Sequence, residues 1–320
     1  MQAIVGTEYG SPDCLELREI DRPVAGEGEV LVRVRAASVN PLDFHVMRGT
    51  PYLVRATEGL RRPKVPVRGV DAAGIVEEVG AGVTHVEPGD EVFGSHAGAF
   101  AEYVCGRTFV RKPAGITFEQ AAAIPVAGCT ALQALRDKGR LEAGQKVLVN
   151  GAAGGVGTFA TQIAKGLGAE VTGVCGTRNV ELVRSLGADH VVDYTQADYT
   201  RSGARYDVIL DAAGTHSLSA NRRVLTPEGT VVLVGAVHFG NWAGPLVAPV
   251  KAIVLSRFSR QTFAPLLAKI VREDLEQLAG LADAGTLVPV IDRTYPLRET
   301  ADALRYLEEG HARGKVVVVP

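Results

Sequence analysis

Apolar and polar positions follow two different rhythms along the chain, and the change falls near Phe118. Before it, apolar residues come in short runs broken by Gly and Pro. Val30-Leu31-Val32-Arg33-Val34-Arg35 alternates apolar and charged positions, the period of two that predicts a half-buried strand. Similar short strands are expected over 74–79, 91–94, 100–104 and 109–112, with turns at Glu87-Pro88-Gly89-Asp90 and Pro113-Ala114-Gly115. Such a series predicts a partly open β-barrel.

After Phe118 the period lengthens. Alanine-rich helical segments over 119–124 and 126–135, separated at Pro125, mark a domain boundary. Strand and helix patterns then alternate: strands over 146–150, 170–175, 190–193, 207–211 and 230–235, with helices from Gly155 and over 180–186 and 217–225. That alternation is the signature of an α/β domain, a doubly wound parallel sheet with helices on both faces. An irregular stretch follows, then an amphipathic helix over 273–284, a short strand over 288–291, a helix over 300–309 and a final strand over 315–319. The last strand is too apolar for an exposed tail.

Bulk properties narrow the picture only slightly. At 320 residues the chain exceeds one ordinary domain. A net charge of -2 exerts no pull toward nucleic acid or anionic membranes, so neither is an expected partner. No basic leader precedes an apolar run at the N-terminus, and no apolar stretch approaches the roughly 18 residues of a membrane span, so a cytoplasmic location is expected. The four cysteines are far apart and form no C-x-x-C pair, which argues against a disulfide framework or a cysteine-built zinc site.

Candidate chemistry begins where the apolar run 147–149 breaks into Asn150-Gly151-Ala152-Ala153-Gly154-Gly155-Val156-Gly157 and resumes as a helix. Ala152, Gly154 and Gly157 have the spacing of a dinucleotide-binding turn, with Ala in the first glycine position. Unpaired N–H groups of that helix's first turn, at Gly155 and Val156, would hold the phosphates. An NAD site normally has an acid at the end of the second strand, to accept from the ribose 2′-OH. Here that segment is Cys175-Gly176-Thr177-Arg178-Asn179, which has no acid and has an arginine suited to a 2′-phosphate. NADPH is the expected cofactor, with Gly176, Thr177, Arg178 and Tyr194 as contacts. Ala213-Gly214 and Gly235-Ala236 lie at expected strand C-termini, where open α/β sheets bind ligands.

Five segments together resemble a known family: Ala37-Ser38-Val39-Asn40-Pro41-Leu42-Asp43, residues 69–76 (GVDAAGIV), Ala127-Gly128-Cys129-Thr130-Ala131-Leu132, residues 151–157, and Gly314-Lys315-Val316-Val317. The chain is similar over essentially its whole length to the zinc-independent quinone oxidoreductase branch of the medium-chain dehydrogenase/reductase superfamily. The resemblance implies a GroES-like barrel domain over 1–122, a Rossmann domain over 123–262 and a return segment over 263–320 that completes the first domain. It also implies a homodimer.

Zinc-dependent relatives carry a catalytic Cys where this chain has Val39-Asn40-Pro41 and a His-Glu pair where it has Val70-Asp71, so no metal is expected. Without a Lewis acid the expected substrate is already electrophilic: a quinone, an enone or another activated alkene. By the same resemblance Asn40 and Asp43 lie beside the nicotinamide, Thr130 and Lys315 approach the cofactor, and Tyr52 is the proton-donor candidate. Capping of a helix starting near Pro41 is a rival role for Asn40 and Asp43. An enoyl-thioester reductase is the alternative enzyme, with Arg55, Arg61, Arg62 and Lys64 as the basic cluster for a carrier's phosphates. A non-catalytic NADPH-binding structural or regulatory protein is the alternative of another class. His45, His96 and His238, and the pair Arg257 and Arg260, are secondary candidates.

Overall fold

The computed structural model describes residues 1–234 and 259–320. These divide into two compact units, Met1–Cys129 with Ile270–Pro320, and Thr130–Lys269. The expected boundaries at 123 and 262 fall short of these for two local reasons. Helix Pro125–Gln133, which starts just after 123, runs without a break across the division between Cys129 and Thr130, and Thr262–Leu266 is a strand of the second unit's sheet rather than part of the return segment.

In the first unit the strands are β1 (Gln2–Val5), β2 (Glu16–Glu19), β3 (Val30–Val39), β4 (Asp71–Val79), β5 (Glu91–Ser95), β6 (Tyr103–Gly106) and β7 (Phe109–Arg111), joined late in the chain by β14 (Ile291–Pro296) and β15 (Lys315–Val319). β1 and β2 form a hairpin, and the main sheet has the order β14-β15-β3-β4-β5-β7. β3 organises it. One edge pairs with β4, while the other is shared, its first half with β6 and its last residues with β15. The core behind it includes Val32, Val34, Val39, Val76, Phe100, Phe109, Val316 and Val318, all buried.

The alternating pattern at 30–35 continues to Val39 through Ala36, Ala37 and Ser38, which are buried whichever way they point. Small residues in a strand flanked on both edges hide the period of two. The last short strand starts at Ile291 rather than at 288, and Pro289, which has no N–H to give a ladder, precedes it. Helix α1 (Pro41–Arg48) follows β3 directly, with Pro at its first position. Helices α2 (Val54–Glu58) and α3 (Phe118–Ala122) belong to this unit, α4 (Pro125–Gln133) begins in it, and two further helices span Arg272–Asp283 and Thr300–Glu308.

The second unit is a parallel sheet of β8 (Lys146–Asn150), β9 (Glu170–Cys175), β10 (His190–Asp193), β11 (Tyr206–Asp211), β12 (Leu225–Val234) and β13 (Thr262–Leu266) in the order β10-β9-β8-β11-β12-β13. The order in which strands are added reverses between β8 and β11, successive strands being laid down first on one side of β8 and then on the other. This is the switch point at which doubly wound sheets open a crevice for a dinucleotide. Helix α5 (Gly155–Gly166) starts beside it and buries Phe159, Ala160, Ile163 and Ala164. Among the described residues no helix is long and apolar enough to cross a membrane.

Candidate cofactor and catalytic sites

The glycine turn is assembled at the C-terminal end of β8. The residue that reverses the chain is Gly151, whose φ of 87° lies in the left-handed region. The sequence spacing gave that role to Ala152, which instead sits fully buried with its N–H donating to the Val174 carbonyl. Gly154 is the N-cap of α5 and has no side chain to cap it, so Gly155, Val156 and Gly157 form a first turn with donors available to an anion. At Gly157 a Cβ would stand 2.0 Å from the Gly151 carbonyl oxygen, so only glycine lets α5 pack onto the turn. Across the switch point, Ala213 lies against Gly151, and the Gly214 N–H donates to Asp211 Oδ1 at 2.8 Å. The same Asp211 oxygen accepts from Asn150 Nδ2 at 2.8 Å, which fixes the end of β8 to the end of β11.

At the end of β9, Gly176, Thr177 and Arg178 lead into a short turn, with Thr177 and Arg178 exposed. Tyr194 is brought to the same place from the end of β10: its hydroxyl lies 3.2 Å from where a Gly176 Cβ would stand. A carboxylate that the sequence reading missed arrives with it. Asp193 Oδ2 accepts from Thr177 Oγ1 at 2.6 Å, and its two oxygens also accept from Thr195 and Gln196, bonds that hold its carboxyl below the usual range. The absence of an acid after the second strand could be read locally; the acid supplied by the neighbouring strand could not. Thr130 is buried near the start of this unit, and Gly235, Ala236, His238 and Arg257 lie outside the described residues.

The first unit holds a second constellation. The register of β3 sets Ser38 opposite Asp71 of β4 and Val39 opposite Val316 of β15, so the first residue of α1's approach, Asn40, meets both neighbours. Lys315 Nζ donates to Asn40 Oδ1 at 2.5 Å and to the Val39 carbonyl at 3.1 Å. Asn40 Nδ2 donates to Asp71 Oδ2 at 2.9 Å, an oxygen that also accepts from Ser38 Oγ and the Val126 N–H. Asp43 Oδ2 accepts from the Asn40 N–H at 2.7 Å. Thus Asn40 precedes the helix as expected of a cap, but its side chain is spent on Lys315 and Asp71, and it is Asp43 that reaches back to close the helix start.

All of these side chains are buried, Asp43 retaining 6% of its surface, Lys315 3%, Asn40 1% and Asp71 and Ser38 none. Burial pushes the Asp43 carboxyl up to about 7, reinforced by the Asp71 charge and opposed by the Asn40 N–H and Lys315. It raises Asp71 and lowers Lys315 in the same way. Asp71 Oδ1 is buried with no hydrogen-bond partner.

Tyr52 lies apart from this group, 37% exposed, with the Arg55 guanidinium 4.9 Å from its ring centre. Arg55 also donates to the Gly49 carbonyl and Lys64 to that of Thr57, so half of the expected basic cluster is engaged with its own loop. His45 Nδ1 pairs with the Thr50 carbonyl and His96 Nδ1 with that of Ala97. Arg260 lines an open hollow with Arg222 and Arg223. Among the described residues no three His, Cys, Asp or Glu side chains converge on a point. The positions that would supply zinc ligands hold Val39, Asn40, Val70 and Asp71, and the cation bonded into that group is the protein's own Lys315 ammonium. This donor set does not fit zinc.

Comparison with known proteins agrees with the two-unit architecture. An alcohol dehydrogenase GroES-like domain matches residues 26–134, and a zinc-binding dehydrogenase domain matches residues 186–318. The chain is 35% identical to the chloroplast envelope quinone oxidoreductase homolog of Arabidopsis thaliana, over 100% of this chain and 98% of that protein. It is 34% identical to the NADPH-dependent alkenal/one oxidoreductase of the same plant, over 100% of this chain and 80% of that one. The structure of the quinone oxidoreductase from Coxiella burnetii superposes with a TM-score of 0.88 at 31% identity, over 100% of this chain and 99% of that one.

Proposed function

The chain belongs to the quinone oxidoreductase branch of the medium-chain dehydrogenase/reductase superfamily, a nicotinamide-dependent reductase, and from that premise we propose that it reduces quinones, enones or other activated alkenes with NADPH and without a metal. The observation that carries the reading is the Gly151–Gly157 turn at the switch point together with an exposed Arg178 and no acid at the end of β9. When bound, NADPH supplies a hydride from its nicotinamide to the electrophilic carbon of the substrate.

The chain's own residues bind and orient. N–H groups at the start of α5 would hold the pyrophosphate, and Gly176, Thr177, Arg178 and Tyr194 would hold the adenosine ribose and its 2′-phosphate. Ala213 and Gly214 would line the end of β11 along the dinucleotide, and Thr130 would approach the nicotinamide. Asn40 and Asp43 serve the reacting end, and Lys315 acts there by holding the Asn40 amide oxygen. That Val39, Asn40, Val70 and Asp71, with the Lys315 ammonium bonded among them, do not form a zinc donor set supports substrates that need no Lewis acid to accept a hydride.

The test is NADPH and NADH oxidation against a panel of quinones and aliphatic enones, with and without a chelator. Turnover with NADPH that a chelator leaves unchanged is expected; loss of activity with chelator overturns the metal-free reading. Charge-assisted hydrogen bonds contribute about 1.5–3 kcal/mol each, so Arg178→Ala is expected to weaken NADPH binding roughly 10- to 100-fold and leave NADH nearly unaffected. Equal loss for both cofactors would sink the assignment of Arg178 to the 2′-phosphate.

A further inference from the structure

The buried group in the first unit contains two carboxylates and one ammonium, Asp43, Asp71 and Lys315, tied to one another through Asn40. Ionised throughout, it carries one uncompensated negative charge among side chains that are almost wholly buried. Burying a net charge costs several kcal/mol, and the group becomes neutral by keeping one proton on a carboxyl. Asp71 Oδ2 accepts from three donors, Ser38 Oγ, Asn40 Nδ2 and the Val126 N–H, whereas the donors to Asp43 all come from Asn40, chiefly its backbone N–H to Oδ2. The proton therefore belongs on Asp43, on Oδ1, the oxygen that does not accept from the Asn40 N–H. Asp43 is also the member of the group with the most accessible surface, so it is the one with a way out.

We propose that Asp43 is the proton donor of the reduction, and that Asp71 and Lys315 are positioning residues which hold Asn40 from both ends, the Asp71 carboxylate also helping to keep the proton on Asp43. This rests on the reductase reading above, and it replaces Tyr52, which is half exposed and packed on Arg55. In the step itself, the nicotinamide C–H bond would break as its electron pair forms a C–H bond at the far carbon of a C=C–C=O system, oxidising the cofactor by two electrons, and the C=C π pair moves into an enolate. The Asp43 O–H bond then breaks, its proton forms the second C–H bond at the carbon next to the carbonyl, and its electrons stay on the carboxylate. Water returns the proton. For a quinone the same proton goes to oxygen.

Charges near Asp43 come from several elements. Asp71 on β4 disfavours its ionisation and Lys315 on β15 favours it. Arg68, just before β4, is the next charge out, and its Nη2 donates to the Gly6 carbonyl. Arg55 and Glu58 of α2 face Tyr9, and Glu308 of the Thr300–Glu308 helix faces Arg48 and His45 at the other end of α1.

The test is the pH profile of kcat for NADPH oxidation with a quinone or enone, alongside infrared spectra of the cofactor-free protein. Wild-type kcat is expected to fall as pH rises through the ionisation of Asp43. Asp71→Asn removes a like charge, so the falling limb moves to lower pH; Lys315→Met removes an opposite charge, so it moves to higher pH. Asp43→Asn abolishes the limb and lowers kcat by roughly 10²–10⁴-fold, the usual contribution of a general acid, with KM for NADPH little changed. The cofactor-free protein shows a protonated-carboxyl band that disappears in Asp43→Asn. Should Lys315→Met fail to fold, Asp71→Asn, Asp43→Asn and the infrared band still decide. Shifts in the same direction in both charge variants, an unmoved limb, or a band that survives Asp43→Asn overturns the proposal while leaving the reductase reading intact. A wild-type protein that oxidises NADPH with no acceptor in the panel overturns the reductase reading, and the proton-donor role with it.

Discussion

Gly151, Gly154 and Gly157 do three different jobs, and substitutions separate them. A Cβ at Gly154 would meet its nearest neighbour at 3.4 Å, an ordinary contact, in a backbone conformation any residue adopts. Gly154→Ala is therefore expected to fold as stably as wild type while losing NADPH affinity by about tenfold or more, because the added methyl stands where the pyrophosphate must approach. Gly157→Ala puts the methyl against backbone instead and is expected to lose about 1–3 kcal/mol of stability whether or not cofactor is present. Urea unfolding together with a fluorescence titration of NADPH distinguishes the two. If Gly154→Ala binds NADPH normally, the phosphates do not lie over that turn. The turn's position was legible from the run of glycines, but that Gly151, one place before Ala152, is its left-handed residue was not, because spacing alone does not say which residue adopts positive φ.

At the scale of elements, α1 is begun by a carboxylate from its own first turn. Asp43 accepts from the Asn40 N–H, which leaves the Asn40 side chain free to join β15 to β4. Asn40→Ala consequently keeps the Asp43 half of the capping box at α1's start and strips a partner from both the Lys315 ammonium and the Asp71 carboxylate. A buried polar group deprived of its partner costs about 1–3 kcal/mol, more when charged, so the variant is expected to unfold at lower urea by at least that amount. Circular dichroism of the folded variant should show unchanged helix content. A variant as stable as wild type would mean that water replaces the amide. The raised Asp43 carboxyl has its own signature: a group harder to ionise folded than unfolded contributes stability at low pH that is lost as pH rises toward about 7. Urea midpoints should fall over that range in wild type and much less in Asp43→Asn. The strong periodic elements, such as 146–150 and 170–175, were readable because their apolar runs are continuous; β1, β2 and β13 were not, since Glu16–Glu19 is wholly exposed and Thr262–Leu266 carries a proline.

For the whole molecule, two units with separate cores predict two patterns of response to ligand. NADPH at 100 times its Kd stabilises the state that binds it by about 2.7 kcal/mol. Hydrogen exchange should slow at Gly151–Gly157 and Gly176–Arg178 of the second unit, with smaller changes in the strands of the first unit's core. Protection confined to the first unit would place the cofactor elsewhere. The sequence by itself determined the α/β alternation of the second unit, the barrel-like texture of the first, the glycine turn and the candidate Arg178, because each is written in neighbouring residues with a local period or spacing, and its resemblance to a family added Asn40 and Asp43. Only the tertiary structure decided that Asp71 and Lys315 close on Asn40, and that Asp193 reaches Thr177. Those partners stand 31 and 275 residues from Asn40 and 16 residues from Thr177, and it is the pairing of β3 with β4 and β15, and of β10 with β9, that brings them within a hydrogen bond. Register between strands is fixed by packing across the whole sheet, and no local pattern records it.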